Sequence, residues 1–343
     1  MHHTQIRKVA FVGTGIMGAA IAGHILSAGY DLVVYNRTKS KAEKLLAQGA
    51  TWANSPAEAA ADADLVFTMV GYPSEVEDVY LATDGILRAA KKGAWMVDLT
   101  TSSPQLARDI HDAAEVMDKH AFDCPVTGGQ TGAEAGTLTL IVGAREADVV
   151  PVLPVLETFS SKIMYFDAPG AGQTAKLCNQ VSLASCMIGY ADALALAEQG
   201  GVDPDKLLDL LASGTGGSGA AAKLAPKSLA GDYKPGFMME HFRKDVALAL
   251  SEAQDREVTL PGAETAFALL DMICAVGGSR LGTQAITLLY ADQAEGIAAG
   301  LDWSLLDAEA DGCDGDCGDE GCDCGHHHGH DHGDGCCCGH HGE

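Results

Sequence analysis

Basic residues are scarce in this sequence: 22 Lys and Arg stand against 47 Asp and Glu, for a formal net charge of −25. A nucleic acid or an anionic lipid surface needs a basic face, so this imbalance excludes both as the main partner. No uninterrupted apolar stretch approaches membrane-spanning length. The apolar opening is broken by Gly13, Gly15 and Gly18 and is followed by no convincing cleavage region, so it does not read as a signal peptide. Cysteine is thin over most of the chain: of 11, only Cys124, Cys178, Cys186 and Cys274 precede residue 311. They are too scattered for a disulfide framework and are expected to be reduced, buried thiols. No internal repeat is visible. These absences predict a soluble, cytoplasmic protein without nucleic-acid or membrane partners.

A length of 343 residues with 47% hydrophobic content predicts two packed domains, each with its own core. Short apolar runs alternate with helical patterns at first, as in a parallel sheet flanked by helices. The expected strands are 9–12, 32–35, 65–69, 95–98, 121–123, 139–142 and 162–166. From about Thr174 the apolar spacing becomes helical, in segments such as 174–199 and 244–255. Pro169, Gly170 and Gly172 punctuate the change. The expected organisation is therefore an α/β Rossmann-type domain at 5–168, an all-α second domain at 169–310 and a separate tail at 311–343.

Gly13-Thr14-Gly15-Ile16-Met17-Gly18 follows a strand and opens a helix, the setting in which G-x-G-x-x-G cradles a dinucleotide. The first glycine permits the turn, the second admits the pyrophosphate, and the third lets helix pack on strand. Helix N-terminal N–H groups then meet the phosphate charge. At the end of the second strand stands Asn36-Arg37-Thr38. An NAD site usually places a carboxylate there for the ribose 2′-hydroxyl. Its absence, with Arg37 able to stack on adenine and pair with a 2′-phosphate, predicts NADP, with NAD possible.

Four stretches together resemble the β-hydroxyacid dehydrogenases, the group of 3-hydroxyisobutyrate dehydrogenase and tartronate semialdehyde reductase. They are Phe11 to Gly18, Asp123 to Gly129, Gly170 to Gln180, and His241-Phe242-Arg243-Lys244-Asp245. The resemblance implies an NAD(P)-dependent oxidoreductase acting on a small 3-hydroxy acid or its semialdehyde. Lys176 would be the catalytic acid/base, and Asn179, three positions on along a helix, would bind substrate near the reacting carbon. Thr127, Gly128 and Gly129 would hold the substrate carboxylate. Met69, Val70, Thr101 and Lys244 would line the cofactor, and a homodimer or homotetramer is expected. Two positions depart from the family: Thr127 stands where Ser is usual, and Ser218-Gly219-Ala220-Ala221-Ala222 stands where an aromatic side chain is frequent. Imine reduction on the same fold is disfavoured by Lys176. A 6-phosphogluconate dehydrogenase is disfavoured by the short helical domain.

The tail has a different chemistry. Cys313, Cys317, Cys322, Cys324, His326, His327, His328, His330, His332, Cys336, Cys337, Cys338, His340 and His341 are separated by Gly and Asp, with no Lys, Arg or large apolar side chain. Such a segment cannot offset its own ordering entropy and is expected to be disordered without a ligand. Thiolate and imidazole groups suit zinc, nickel or copper, none of which is needed for hydride transfer. A metal-buffering or metallochaperone role, with the dehydrogenase body as carrier, is the competing functional reading.

Overall fold

The computed structural model describes residues Ile6 to Leu306. The expectations for 311–343, both its disorder and its fourteen metal ligands from Cys313 to His341, lie outside the described residues. Residues up to Trp303 belong to one compact unit, and a second unit begins at Ser304.

Six parallel strands form the main sheet: β1 (Lys8–Val12), β2 (Asp31–Tyr35), β3 (Thr51–Trp52), β4 (Leu65–Thr68), β5 (Trp95–Asp98) and β6 (His120–Asp123), in the order β3-β2-β1-β4-β5-β6. Successive side chains of a strand point to opposite faces, so Val9 and Phe11 enter one core with Ile21, Ile25 and Phe67, while Ala10 and Val12 enter the other with Val66, Tyr80 and Met96. Both faces are covered, which is why the strands read as continuous apolar runs. The order reverses between β1 and β4, and the crevice at that switch, beyond the carboxyl ends of the strands, is where such sheets take ligands.

Two of the expected strands do not join this sheet. Runs 139–142 and 162–166 appear as β8 (Leu138–Val142) and β9 (Ser160–Tyr165) in a separate three-stranded sheet with β7 (Val126–Thr127). β7 pairs antiparallel to β8, and β8 pairs parallel to β9. Only Cys124 and Pro125 separate β6 from β7, whereas a parallel neighbour needs a crossover of about a dozen residues or more. The chain must leave the main sheet at that point.

Helices follow: Ala171–Gln199, Pro204–Ser213, Gly219–Leu229, Met239–Asp255 and Pro261–Ala275. The first begins three residues earlier than its apolar spacing predicts, because Gly170 takes a left-handed φ of 78° and the Asp123 carboxylate accepts from Gly170 and Gln173 N–H. By length and composition this 29-residue helix is apolar enough to cross a membrane. It carries buried Gln173, Lys176 and Gln180, however, and packs against the helices Gly219–Leu229, Met239–Asp255 and Pro261–Ala275. Ser218 caps its helix by accepting from Ala221 N–H, and Ala220 and Ala221 are buried beneath it. Ser218→Ala should therefore lower stability by about 1 kcal/mol, read as a shifted urea midpoint.

The four cysteines among the described residues are free, as expected. Only Cys124 is buried, however; Cys178 is exposed, while Cys186 and Cys274 are half-buried. Cys178 stands on the outward edge of the long helix, a position that spacing from Leu177 alone does not separate from the core.

Candidate functional site

Beyond β1 the chain turns at Gly13, whose φ is 102° and whose N–H donates to Tyr35 O at 2.9 Å. A Cβ on Gly13 would lie 2.1 Å from Met69 O, and one on Gly18 would lie 2.0 Å from Gly13 O. Those two glycines are demanded by the protein's own packing. Gly15 is not, since a Cβ there would meet nothing within 4 Å. The helix Ile16–Ser27 starts at Gly15 without a side-chain cap, and Thr14 Oγ1 is buried with no partner among the described residues. Uncapped N–H groups, open backbone and an orphaned hydroxyl fit the pyrophosphate of a dinucleotide. Ile16 is exposed, and Met17 packs against the core below the loop.

Asn36 links the loops instead of standing free: Oδ1 accepts from Thr14 N–H at 3.1 Å and Nδ2 donates to Thr38 O at 3.0 Å. Arg37 and Thr38 are exposed at the end of β2. Arg37 Nη2 sits 2.6 Å from Glu75 Oε1, at the start of the helix Pro73–Leu81.

Met69 and Val70, half-buried, lead away from β4. Met69 N–H donates to Val12 O at 2.9 Å, and Val70 N–H donates to Thr100 Oγ1 at 3.0 Å. Asp98, at the end of β5, accepts from Thr68 Oγ1 at 2.7 Å and from Thr100 N–H at 3.1 Å. Burial pushes its carboxyl up to about 6, against the opposing pull of those hydrogen bonds.

The backbone of 100–102 is gripped from two sides. Gln173, fully buried, donates from Nε2 to Thr100 O at 2.7 Å and accepts on Oε1 from Ser102 N–H at 2.9 Å. Lys244, on the helix Met239–Asp255, donates from Nζ to Thr101 O at 2.6 Å. Lys244 also pairs with Asp245 at 2.9 Å, and with side-chain exposures of 12% and 3% this is a buried ion pair and not a solvated one.

One turn after Gln173 lies Lys176, 7% exposed. Its Nζ has no hydrogen bond or ion pair among the described residues. Burial lowers its pKa to about 8; Asp245 opposes this and Lys244 reinforces it. Asp245 Oδ2 accepts from Gln180 Nε2 at 2.7 Å, and Gln180 Oε1 accepts from Asn179 Nδ2 at 2.9 Å. Asn179 thus stands at the outer end of a buried polar chain that reaches the neighbourhood of Lys176.

Thr127 closes β7 opposite Thr139. Gly128 and Gly129 follow with φ of 132° and 63°, values that strain any other residue. They open the helix Gly129–Ala135, whose final carbonyls at Ala133 and Glu134 lie 3.0 and 3.1 Å from His24 Nε2 on the glycine-loop helix. β8, the partner of β7, also supports the lysine helix: a Cβ on Gly172 would lie 2.5 Å from Ile141 O. The structure therefore connects the glycine loop, the Thr127 turn, the Thr101 loop and Lys176 through shared elements.

Gln173, Gln180, Glu75, His24 and Asp245 complete the site beyond the residues to which the sequence assigns a role. Gln173 and Gln180 have a readable signal, since they stand three positions before and four after Lys176 and so share its helix face.

Residues 8–167 match the family described as the NAD binding domain of 6-phosphogluconate dehydrogenase, and residues 170–290 match that described as NAD-binding of NADP-dependent 3-hydroxyisobutyrate dehydrogenase. An uncharacterized oxidoreductase of Bacillus subtilis is 41% identical over 284 residues, covering 83% of this chain and 99% of its own. A probable 3-hydroxyisobutyrate dehydrogenase-like protein of Arabidopsis thaliana is 39% identical over 282 residues, covering 82% and 84%. Among solved structures, the Mycobacterium tuberculosis 3-hydroxyisobutyrate dehydrogenase with L-serine aligns at a TM-score of 0.77 and 32% identity, over 84% of this chain and all of that one.

Proposed function

The chain belongs to the β-hydroxyacid dehydrogenase family, as a 3-hydroxyisobutyrate dehydrogenase-like NAD(P)-dependent enzyme, and on that premise we propose that it interconverts a small 3-hydroxy acid and its semialdehyde with NADP, using Lys176 as acid and base. The observation that carries this reading is the state of Lys176: a nearly buried ammonium without an ion pair, one turn from the glutamine that grips the Thr101 loop.

When bound, the nicotinamide supplies or accepts the hydride. The protein's own residues manage charge and protons. In oxidation, neutral Lys176 Nζ takes the substrate hydroxyl proton; in reduction, its ammonium returns that proton to the oxygen of the reduced carbonyl. The Thr127 hydroxyl and the backbone N–H groups of Gly128 and Gly129 hold the carboxylate. Asn179 binds beside the reacting carbon. The backbone of 13–18 would hold the pyrophosphate, and Met69, Val70, Thr101 and Lys244 would line the cofactor. Arg37 takes the 2′-phosphate, with Asn36 and Thr38 shaping its loop.

Consumption of NADPH with a panel of short semialdehydes tests the substrate class. The pH dependence tests the mechanism. Oxidation needs neutral lysine, so its kcat/KM should rise tenfold per pH unit below about 8 and level off above it. Reduction needs the ammonium, so its kcat/KM should be flat below about 8 and fall above it. Asp245→Asn removes the charge that favours the ammonium and should move both breaks to lower pH. Breaks running in the same direction for both reactions would exclude Lys176 as the shared group.

We also propose a cytoplasmic homodimer or homotetramer, to be read by light scattering. The composition of 311–343 supports zinc, nickel or copper binding there as a separable property. Truncation before Asp311 should remove bound metal and leave kcat unchanged; loss of kcat would couple the two and favour the metal-handling reading.

A further inference from the structure

The end of β2 carries no carboxylate, but the fold brings one to it from another element. Glu75 Oε1 lies 2.6 Å from Arg37 Nη2, and Glu75 Oε2 accepts from Gly71 N–H at 2.7 Å. The second bond fixes the carboxylate against backbone: a Cβ on Gly71 would lie only 3.0 Å from Oε2. The Glu75 side chain is 22% exposed and that of Arg37 is 81% exposed. The arginine is thus the movable partner, and its charge is neutralised where it stands. The neighbouring cation Lys39 lies over the Trp52 ring, 5.3 Å from its centroid.

We propose that Glu75 is a cofactor-specificity residue: by holding Arg37 it weakens binding of the 2′-phosphate and narrows the preference for NADP over NAD. The inference rests on Arg37 being the 2′-phosphate ligand. A phosphate monoester brings a charge of about −1.5 to −2 near neutral pH. It must compete with a fixed carboxylate for one guanidinium while approaching that like charge. A ribose hydroxyl at the same place is neutral and meets neither obstacle.

Glu75→Gln keeps an acceptor for Gly71 N–H and removes the charge, so the loop should hold its form. Calorimetric titration of NADP⁺ and NAD⁺ into the full-length protein and its variants measures binding without turnover. In Glu75→Gln the Kd for NADP⁺ should fall about tenfold while that for NAD⁺ stays within about twofold. Arg37→Ala should raise the NADP⁺ Kd by about tenfold or more, and in that background Glu75→Gln should change it by less than about threefold. If Arg37→Ala weakens NADP⁺ but Glu75→Gln does not tighten it, the role of Glu75 is overturned and the phosphate assignment survives. If Arg37→Ala leaves the NADP⁺ Kd unchanged, Arg37 is not the phosphate ligand and both readings fall.

Discussion

Lys176→Ala should reduce kcat by about 10²–10⁴-fold in either direction, the range for losing a positioned acid or base. The Kd for NADPH should stay within about twofold, because no cofactor contact is assigned to this side chain. Stability supplies a control. Lys176 is buried without an ion pair, and a desolvated ammonium opposes folding. Its removal should leave the urea midpoint unchanged or raised, so lost turnover cannot be ascribed to unfolding. Lys176→Arg separates charge from proton transfer. Guanidinium stays protonated at any working pH and can neither accept the hydroxyl proton nor yield one to the forming alcohol, so turnover should be lost in both directions although the positive charge is kept. Turnover in Lys176→Ala within about threefold of the parent would remove this lysine from the chemistry.

What the sequence disclosed about this site follows from range. The glycine loop was legible because three glycines, the preceding strand and the following helix lie within one short stretch, and Gly13 and Gly18 do make the close approaches that the pattern implies. The lysine helix was legible because Gly170 to Gln180 is continuous. The helical second part was announced by a change of period near Thr174. By contrast, β3 and β7 are two residues each and have no period to detect. The separate sheet escaped because alternation specifies a strand and not its neighbours. Partners distant along the chain were equally hidden: Gln173 meets Thr100 across 73 positions, Gln180 meets Asp245 across 65, and Arg37 meets Glu75 from another element. Gln173 and Gln180 resemble surface residues until topology buries them. Asn36 shows the converse, since its place in the motif suggests a ligand contact while its amide is occupied within the protein.

Asp123→Ala should cost about 3–5 kcal/mol, because two buried N–H groups lose their acceptor together with the helix cap. Asp123 is 2% exposed at the end of β6; Oδ1 accepts from Gly170 N–H at 2.8 Å and Oδ2 from Gln173 N–H at 2.7 Å. Its carboxyl lies so close to Gly143 and Gly172 that a Cβ on either would collide with it, at 2.1 and 2.8 Å. This single side chain starts the lysine helix, fixes Gln173 and thereby sets Lys176 one turn on. Urea unfolding should show a lower midpoint at unchanged slope. Asp123→Asn keeps the shape but turns an amide donor toward a backbone donor, so an intermediate loss of about 1–3 kcal/mol is expected. Burial raises the Asp123 carboxyl above its ordinary value, with the two N–H groups and His111 opposing. A raised native pKa means that the folded state binds the proton more tightly than the unfolded chain. This contribution to stability is therefore fully present below the unfolded value of about 4 and is lost as pH rises through the native one. Asp98, raised to about 6, acts in the same sense, so part of the slope between pH 4 and 6 should survive in Asp123→Ala. A variant within about 0.5 kcal/mol of the parent would show that the helix start is held by packing and that the carboxylate is not its anchor.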